Sequence, residues 1–119
     1  MNEQAGAWLA VTEEDLRADQ RLLGPHDSIA LFHAHQAAEK GLKALQIHRT
    51  GEYVRTHDLV RLFHELCVPD EFRSLLEELN PADTAARYPD VNDLEVDRPE
   101  RLCSGVEELL QWIRKQSNT

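Results

Sequence analysis

Arg87 and Tyr88 are the neighbouring pair in this sequence best suited to hold a phosphorylated ligand. An arginine presents a planar fork of donors that matches phosphate, and a tyrosine beside it can stack a base. Pro89 follows and forces its predecessor out of helical geometry, which places the pair at a helix-to-loop junction. A salt bridge from Arg87 to Asp83 or Asp90, with Tyr88 packed on the fold, would give the same residues a purely structural role. Lys40 and Lys43 could add phosphate charge from an earlier helix, but they do not share a face closely, so one of them is expected to contribute. His35 sits beside an apolar edge made by Leu31 and Leu42 and is either a ligand contact or a half-buried packing histidine.

The histidines also invite a metal reading. His35 and Glu39 are four apart, and His57 and His64 lie one heptad apart. A tight site needs three or four converging ligands, usually anchored by an i,i+4 histidine pair or a carboxylate triad. No His-x3-His exists and His33 and His35 point to different faces of their helix, so neither a metal site nor a cofactor is expected. No glycine-rich phosphate loop, nucleophile elbow or serine triad signature is present.

The elements that must position these residues read as helices almost throughout, since no β-branched run alternates with polar residues over strand length. A first helix is predicted from Glu3 to Leu23, with a later start near residue 13 allowed by the capping-box pattern Thr12-Glu13-Glu14-Asp15. Gly24-Pro25 ends it. A second runs from Asp27 to Arg49 with a large apolar edge at Leu31, Ala38, Leu42 and Leu45. Beside that edge, Ala30, Ala34, Ala37, Gly41 and Ala44 follow a 4-3-4-3 spacing, a line of small residues that lets another backbone approach, either in the core or at a dimer seam. The opposite face carries Gln36, Glu39, Lys43 and Gln46.

Gly51 stops this helix, and Thr56 is the predicted N-cap of a third that buries Leu59, Leu62, Phe63 and Leu66. A fourth follows Pro69 with Asp70 as cap and Phe72, Leu75, Leu76 and Leu79 inward. Asn80-Pro81 reads as a stop and restart, leading to a short helical piece at 82–86 and an acidic loop at 89–98. The last helix begins near Pro99 and buries Leu102, Val106, Leu109 and Ile113, with Trp112 flanking the stripe. Cys67 and Cys103 read as packing residues. The expectation is an all-α fold, an antiparallel bundle of four to five helices in one domain over residues 1–119 with its core at about 5–115.

Composition bounds the rest. An apolar content of 41% with 29% charged residues is that of a globular chain. No segment approaches the roughly 18 uninterrupted apolar residues of a membrane helix. The first residues lack a signal-peptide pattern and the two cysteines form no CxxC, so a cytoplasmic location is expected. A formal charge of −9 disfavours broad binding to nucleic-acid phosphates. The charge is uneven: residues 65–110 hold thirteen acids and four arginines, whereas 28–64 hold five Lys and Arg, three acids and five of the six histidines. A compact anion such as a nucleotide could be held there locally.

Two stretches, in their order and spacing, resemble the HEPN family of helical domains. They are Ala34-His35-Gln36-Ala37-Ala38-Glu39-Lys40-Gly41-Leu42-Lys43-Ala44-Leu45 followed by Thr56-His57-Asp58-Leu59, and Ala86-Arg87-Tyr88-Pro89-Asp90. Trp8-Leu9 and Asp15-Leu16 are similar to that family's first helix, so the likeness runs over about residues 5–115. It implies a bundle of four or five helices, a homodimer with the glycine-containing helix near the interface, and a link to nucleotides or RNA. It also implies work beside a minimal nucleotidyltransferase, in toxin–antitoxin or drug-modification pairs. Many members are metal-independent ribonucleases that use an arginine followed four to six residues later by a histidine. Arg87 matches the arginine, but residues 88–94 contain no histidine and none occurs after His64.

The leading expectation is therefore a non-catalytic accessory domain that dimerises and binds a nucleotide or a nucleotidyltransferase partner. Its ligand contacts are expected at Arg87, Tyr88, Lys40 and His35. The alternatives are a ribonuclease toxin with a rearranged site and a subunit that only packs against another protein.

Overall fold

The computed structural model describes residues 3–22, 27–82 and 99–117. Five α-helices form within them: α1 (Glu3–Leu22), α2 (Asp27–Thr50), α3 (Leu59–Glu65), α4 (Arg73–Leu79) and α5 (Pro99–Ser117). A single 3-10 turn, Asp70–Phe72, leads into α4. The described residues contain no strand, so the fold is all-α as the periodicity implies.

α1 starts at Glu3 and is continuous across Thr12, so the earlier of the two starts read from the sequence holds. Thr12 is fully buried and its hydroxyl donates to the Trp8 carbonyl one turn back at 2.8 Å, so it serves the helix interior instead of capping a new helix. α2 is the central helix, touching α1, α3, α4 and α5. Its apolar edge of Leu31, Ala38, Leu42 and Leu45 is sealed in the core with Leu59, Leu62, Leu76, Val106, Leu109 and Ile113.

The line of small residues on α2 is enclosed within the chain. Ala30, Ala34, Ala37, Gly41 and Ala44 are all buried. A Cβ placed on Gly41 would stand 2.7 Å from Leu110 Cδ2, 3.1 Å from Ile113 Cδ1 and 3.7 Å from Thr12 Cγ2. Those neighbours belong to α5 and α1, so the close approach that the spacing implies is made by the chain's own helices. Of the two readings that the spacing left open, the line takes the core one within this chain.

The segment between α2 and α3 is less regular and matters more for the site. Gly51, at φ +82°, turns the chain back at the end of α2, a conformation open to glycine at no steric cost. Residues 52–58 then retrace α2 as a strap. Val54 N donates to Gln46 Oε1 (3.1 Å), Tyr53 lies beside Lys43, and His57 reaches Glu39 and His35. Because the strap has carried the chain back along α2, α3 runs alongside it in the same direction, ending where Arg49 Nη1 donates to the Leu66 carbonyl (2.8 Å).

Several predicted caps move by a residue or two. Asp58 caps α3, its carboxylate accepting from Val60 N and Arg61 N, while the Thr56 hydroxyl accepts from Asp58 N. Asp70 begins the 3-10 turn and its carboxylate accepts from Arg73 Nε (2.9 Å) instead of capping α4. Asn80 stays in helical geometry and turns its side chain to α3, accepting from Leu59 N (2.9 Å) and donating to Asp58 Oδ1 (3.1 Å). α4 and α5 lie antiparallel, with Phe72 beside Trp112, Leu75 against Gly105 and Glu78 beside Arg101. α5 buries Leu102, Val106, Leu109 and Ile113, together with Cys103 and Leu110. Cys67 is exposed, which corrects its reading as a packing residue.

Candidate functional site

The polar face of α2 carries most of the chemistry, and the strap covers it. Glu39, Lys43 and Gln46 fall on the side opposite the apolar edge, where a helix ordinarily meets water, yet all three are buried. Glu39 is the hub. Its Oε2 accepts from Lys43 Nζ (3.0 Å) and its Oε1 from His57 Nδ1 (2.9 Å). Burying a charged pair is costly unless the remaining lone pairs and protons find partners. Here the strap supplies one of them: the carboxylate, 5% exposed, meets a lysine at 6% and a histidine that remains 54% exposed. Lys43 Nζ also lies 5.5 Å from the centre of the Tyr53 ring, within the range of a cation–π contact.

His35 is fully buried, where the sequence suggested a half-buried residue or a ligand contact. Its Nε2 donates to the His57 carbonyl (3.1 Å), and its Nδ1 lies 3.9 Å from Glu39 Oε1. Enclosed in this way, His35 fixes the strap and presents no surface to a ligand. The histidine that does face outward is His57, which the heptad spacing places on α3 with His64. It precedes the helix, in the strap. Among the described residues no group of three or more His, Cys, Asp or Glu side chains is placed to hold a metal ion.

Lys40 points to the other side of α2, toward α1, where its ammonium meets Asp15 Oδ2 at 2.8 Å. With Ala7, Trp8 and Val11 it lines an open pocket of about 330 Å³ whose wall is almost wholly apolar. Trp8 joins the pocket to the strap, its ring centre 4.7 Å from that of Tyr53 at an interplanar angle of 57°. Val11 and Ile29, 44% and 47% exposed, are large apolar side chains left open to solvent on α1 and α2. The structure thus brings Lys40 together with Trp8, and separates both Lys43 and His35 from them by enclosing them under the strap. Sequence reasoning missed Trp8 as a pocket wall and His57 as an oriented side chain. The signal for the second was available, since Thr56-His57-Asp58 precedes α3 and can reach back along α2.

Arg87 and Tyr88 lie outside the described residues, as do the helical piece predicted beyond Ala82 and the acidic loop at 89–98.

A family model for the HEPN domain matches residues 3–116. Among solved structures, the chain is similar to TT1696 from Thermus thermophilus, with a TM-score of 0.82 and 25% identity over 97% of this chain and 99% of that one. It is also similar to ST0689, an archaeal HEPN homologue, with a TM-score of 0.77 and 23% identity over 98% of this chain and 99% of that one. No curated protein matches it. Among the described residues no helix is long and apolar enough to cross a membrane.

Proposed function

The chain belongs to the HEPN domain family, and from that premise we propose that it is an accessory domain that binds a nucleotide and works as a homodimer beside a nucleotidyltransferase partner. The observation that carries the nucleotide reading is the pocket between α1 and α2. Its volume of about 330 Å³ falls at the lower end of ordinary ligand sites, a size suited to one base and its sugar. Among the described residues its wall is apolar except for one cation at the rim, Lys40. A base stacks on Trp8, a phosphate takes the Lys40 ammonium now shared with Asp15, and Asp15 is left to accept from ribose hydroxyls. Arg87 and Tyr88 join the proposal on their sequence alone, as a second phosphate and base contact.

A calorimetric titration with ATP and GTP tests this reading on the wild type and on Trp8→Ala, Lys40→Ala and Arg87→Ala, with helicity checked by circular dichroism. Saturable heat is expected from the wild type, weakened by about 1–3 kcal/mol in Trp8→Ala, the worth of one base stacked on an aromatic ring. A wild type that gives no heat, or a Trp8→Ala variant that binds as well, overturns it. The homodimer is tested by sedimentation at micromolar concentration. Among the described residues Val11 and Ile29 are the large apolar side chains left exposed, so Val11→Glu with Ile29→Glu is expected to lower the mass to that of one chain. Co-purification with a nucleotidyltransferase encoded beside it tests the partner.

A further inference from the structure

The arrangement around His57 has a chemical consequence of its own, independent of the pocket at Trp8. A carboxylate can only accept, so the 2.9 Å contact from Glu39 Oε1 requires His57 Nδ1 to carry the proton and donate it. In the neutral ring the lone pair then resides on Nε2. The side chain as a whole is 54% exposed, in contrast to the enclosed Glu39 and Lys43. The ring is held in this state from two directions: Glu39, itself held by Lys43, fixes its tautomer, and His35 fixes its backbone through the His57 carbonyl. Three enclosed polar residues therefore fix one half-exposed imidazole. A buried carboxylate that orients a histidine through Nδ1 also stabilises the positive charge the ring acquires when the other nitrogen reacts.

We propose that His57 Nε2 is a nucleophilic acceptor site for phosphoryl groups, activated by Glu39. In the step, the Nε2 lone pair attacks the phosphorus of a donor that carries a good leaving group. A phosphorus–nitrogen bond forms to the ring, and the bond from phosphorus to the leaving group breaks, its electron pair departing with that group. The Nδ1 proton stays between the ring and Glu39, whose charge offsets the cationic phosphoimidazole. Histidine is one of the side chains that form covalent intermediates when a neighbouring group activates them. Other described histidines lack this combination. His35 is fully enclosed, and His64 is exposed with its ring against Phe63. His64 therefore serves as an internal reference within the same molecule.

The test uses the full chain and phosphoramidate, a small donor that phosphorylates imidazole with release of ammonia and needs no enzyme. Peptide mapping by mass spectrometry follows the gain of one phosphoryl group at His57 and at His64 with time, in native buffer and in urea. The expected result is labelling of His57 at least about tenfold faster than His64 in the native protein, with the preference abolished in urea. A folded Glu39→Gln variant is expected to lose the preference while His64 labels at its former rate, which separates activation from exposure. Equal or slower labelling of His57 in the native wild type overturns the proposal, as does a native protein that stays unlabelled at His57 while the urea-treated chain reacts. Both outcomes are read from the wild type, so they stand even where the variant does not fold.

Discussion

Asn80 Nδ2 donates to Asp58 Oδ1 at 3.1 Å, so the residue that closes α4 braces the carboxylate that opens α3. The same asparagine accepts from Leu59 N at 2.9 Å, taking up one of the donors that the start of any helix leaves without an intrahelical partner. Two short helices of seven residues each, too short to be stable alone, are thereby tied end to start. Asn80→Ala is expected to lower stability by about 1–2 kcal/mol, and Asp58→Ala by a similar amount through loss of the cap. Urea denaturation of both single variants and the double measures this. The double should cost clearly less than the sum, because the two residues share one bond, and strict additivity would contradict the bracing.

The buried pair on α2 is expected to behave asymmetrically. Lys43→Ala leaves Glu39 enclosed without its ammonium partner, held by the bond from His57, and should cost about 3–5 kcal/mol. The double variant Glu39→Leu, Lys43→Met removes both charges and should recover much of that loss, since apolar side chains of similar size often replace such pairs at little cost. Thermal melts of the two proteins decide the matter. A double variant less stable than Lys43→Ala would mean that the fold depends on the carboxylate for more than this pairing.

Cys67 adopts φ +53° at the position just past the end of α3. Val68 N donates to the Phe63 carbonyl (3.1 Å) and Cys67 N to that of His64 (3.3 Å), the bonding pattern of a Schellman motif, in which glycine is the usual occupant. Phe63 and Val68 are both buried, as the apolar contact of that motif requires. A side chain in the left-handed region costs roughly 1–2 kcal/mol, so Cys67→Gly should stabilise the protein by up to about 1 kcal/mol after the greater freedom of the unfolded glycine is subtracted. A lower urea midpoint for the variant would show that the thiol contributes something the exposed site does not suggest.

Gly41 is predicted to resist enlargement. Leu110 and Ile113 stand within 3.1 Å of where its Cβ would lie, so Gly41→Leu should cost about 1–3 kcal/mol and move α5 outward. The near-ultraviolet signal of Trp112, on the same helix, reports that movement. Unchanged stability would place the small-residue line at solvent, contrary to its burial.

Much of the fold is legible in the sequence, and the reasons differ by element. The helices with long apolar stripes, α2 and α5, are set by periodicity: both ends of α2 fall within a residue of those read from it, and α5 starts at the expected Pro99. The caps of α3 and α4 were less legible because Thr56, Asp58 and Asp70 are all competent caps, and which one acts depends on where the strap and Asn80 sit. The candidate site was the least legible part. Gln36, Glu39, Lys43 and Gln46 look like a solvated face by composition. Three of them are buried, because a seven-residue connection with little hydrophobic character lies over them, and periodicity says nothing about where such a connection runs. His35 stands out in the sequence for its neighbours on the helix, whereas its role comes from His57, 22 residues on.

The strap also orders the chain in time. Its bonds to α2 join residues 8, 18 and 22 positions apart, so α2, strap and α3 form a unit of short sequence separation that can close early. α5 is different: the ion pair of Arg114 with Glu13 spans 101 residues, and the seat of Gly41 is sealed only when α5 arrives. Closing so long a loop carries an entropic cost before any contact repays it. α5 is therefore expected to dock last in folding and to leave first in unfolding, so substitutions at Leu110 or Ile113 should act mainly on the unfolding rate while those at Leu59 and Leu62 slow folding.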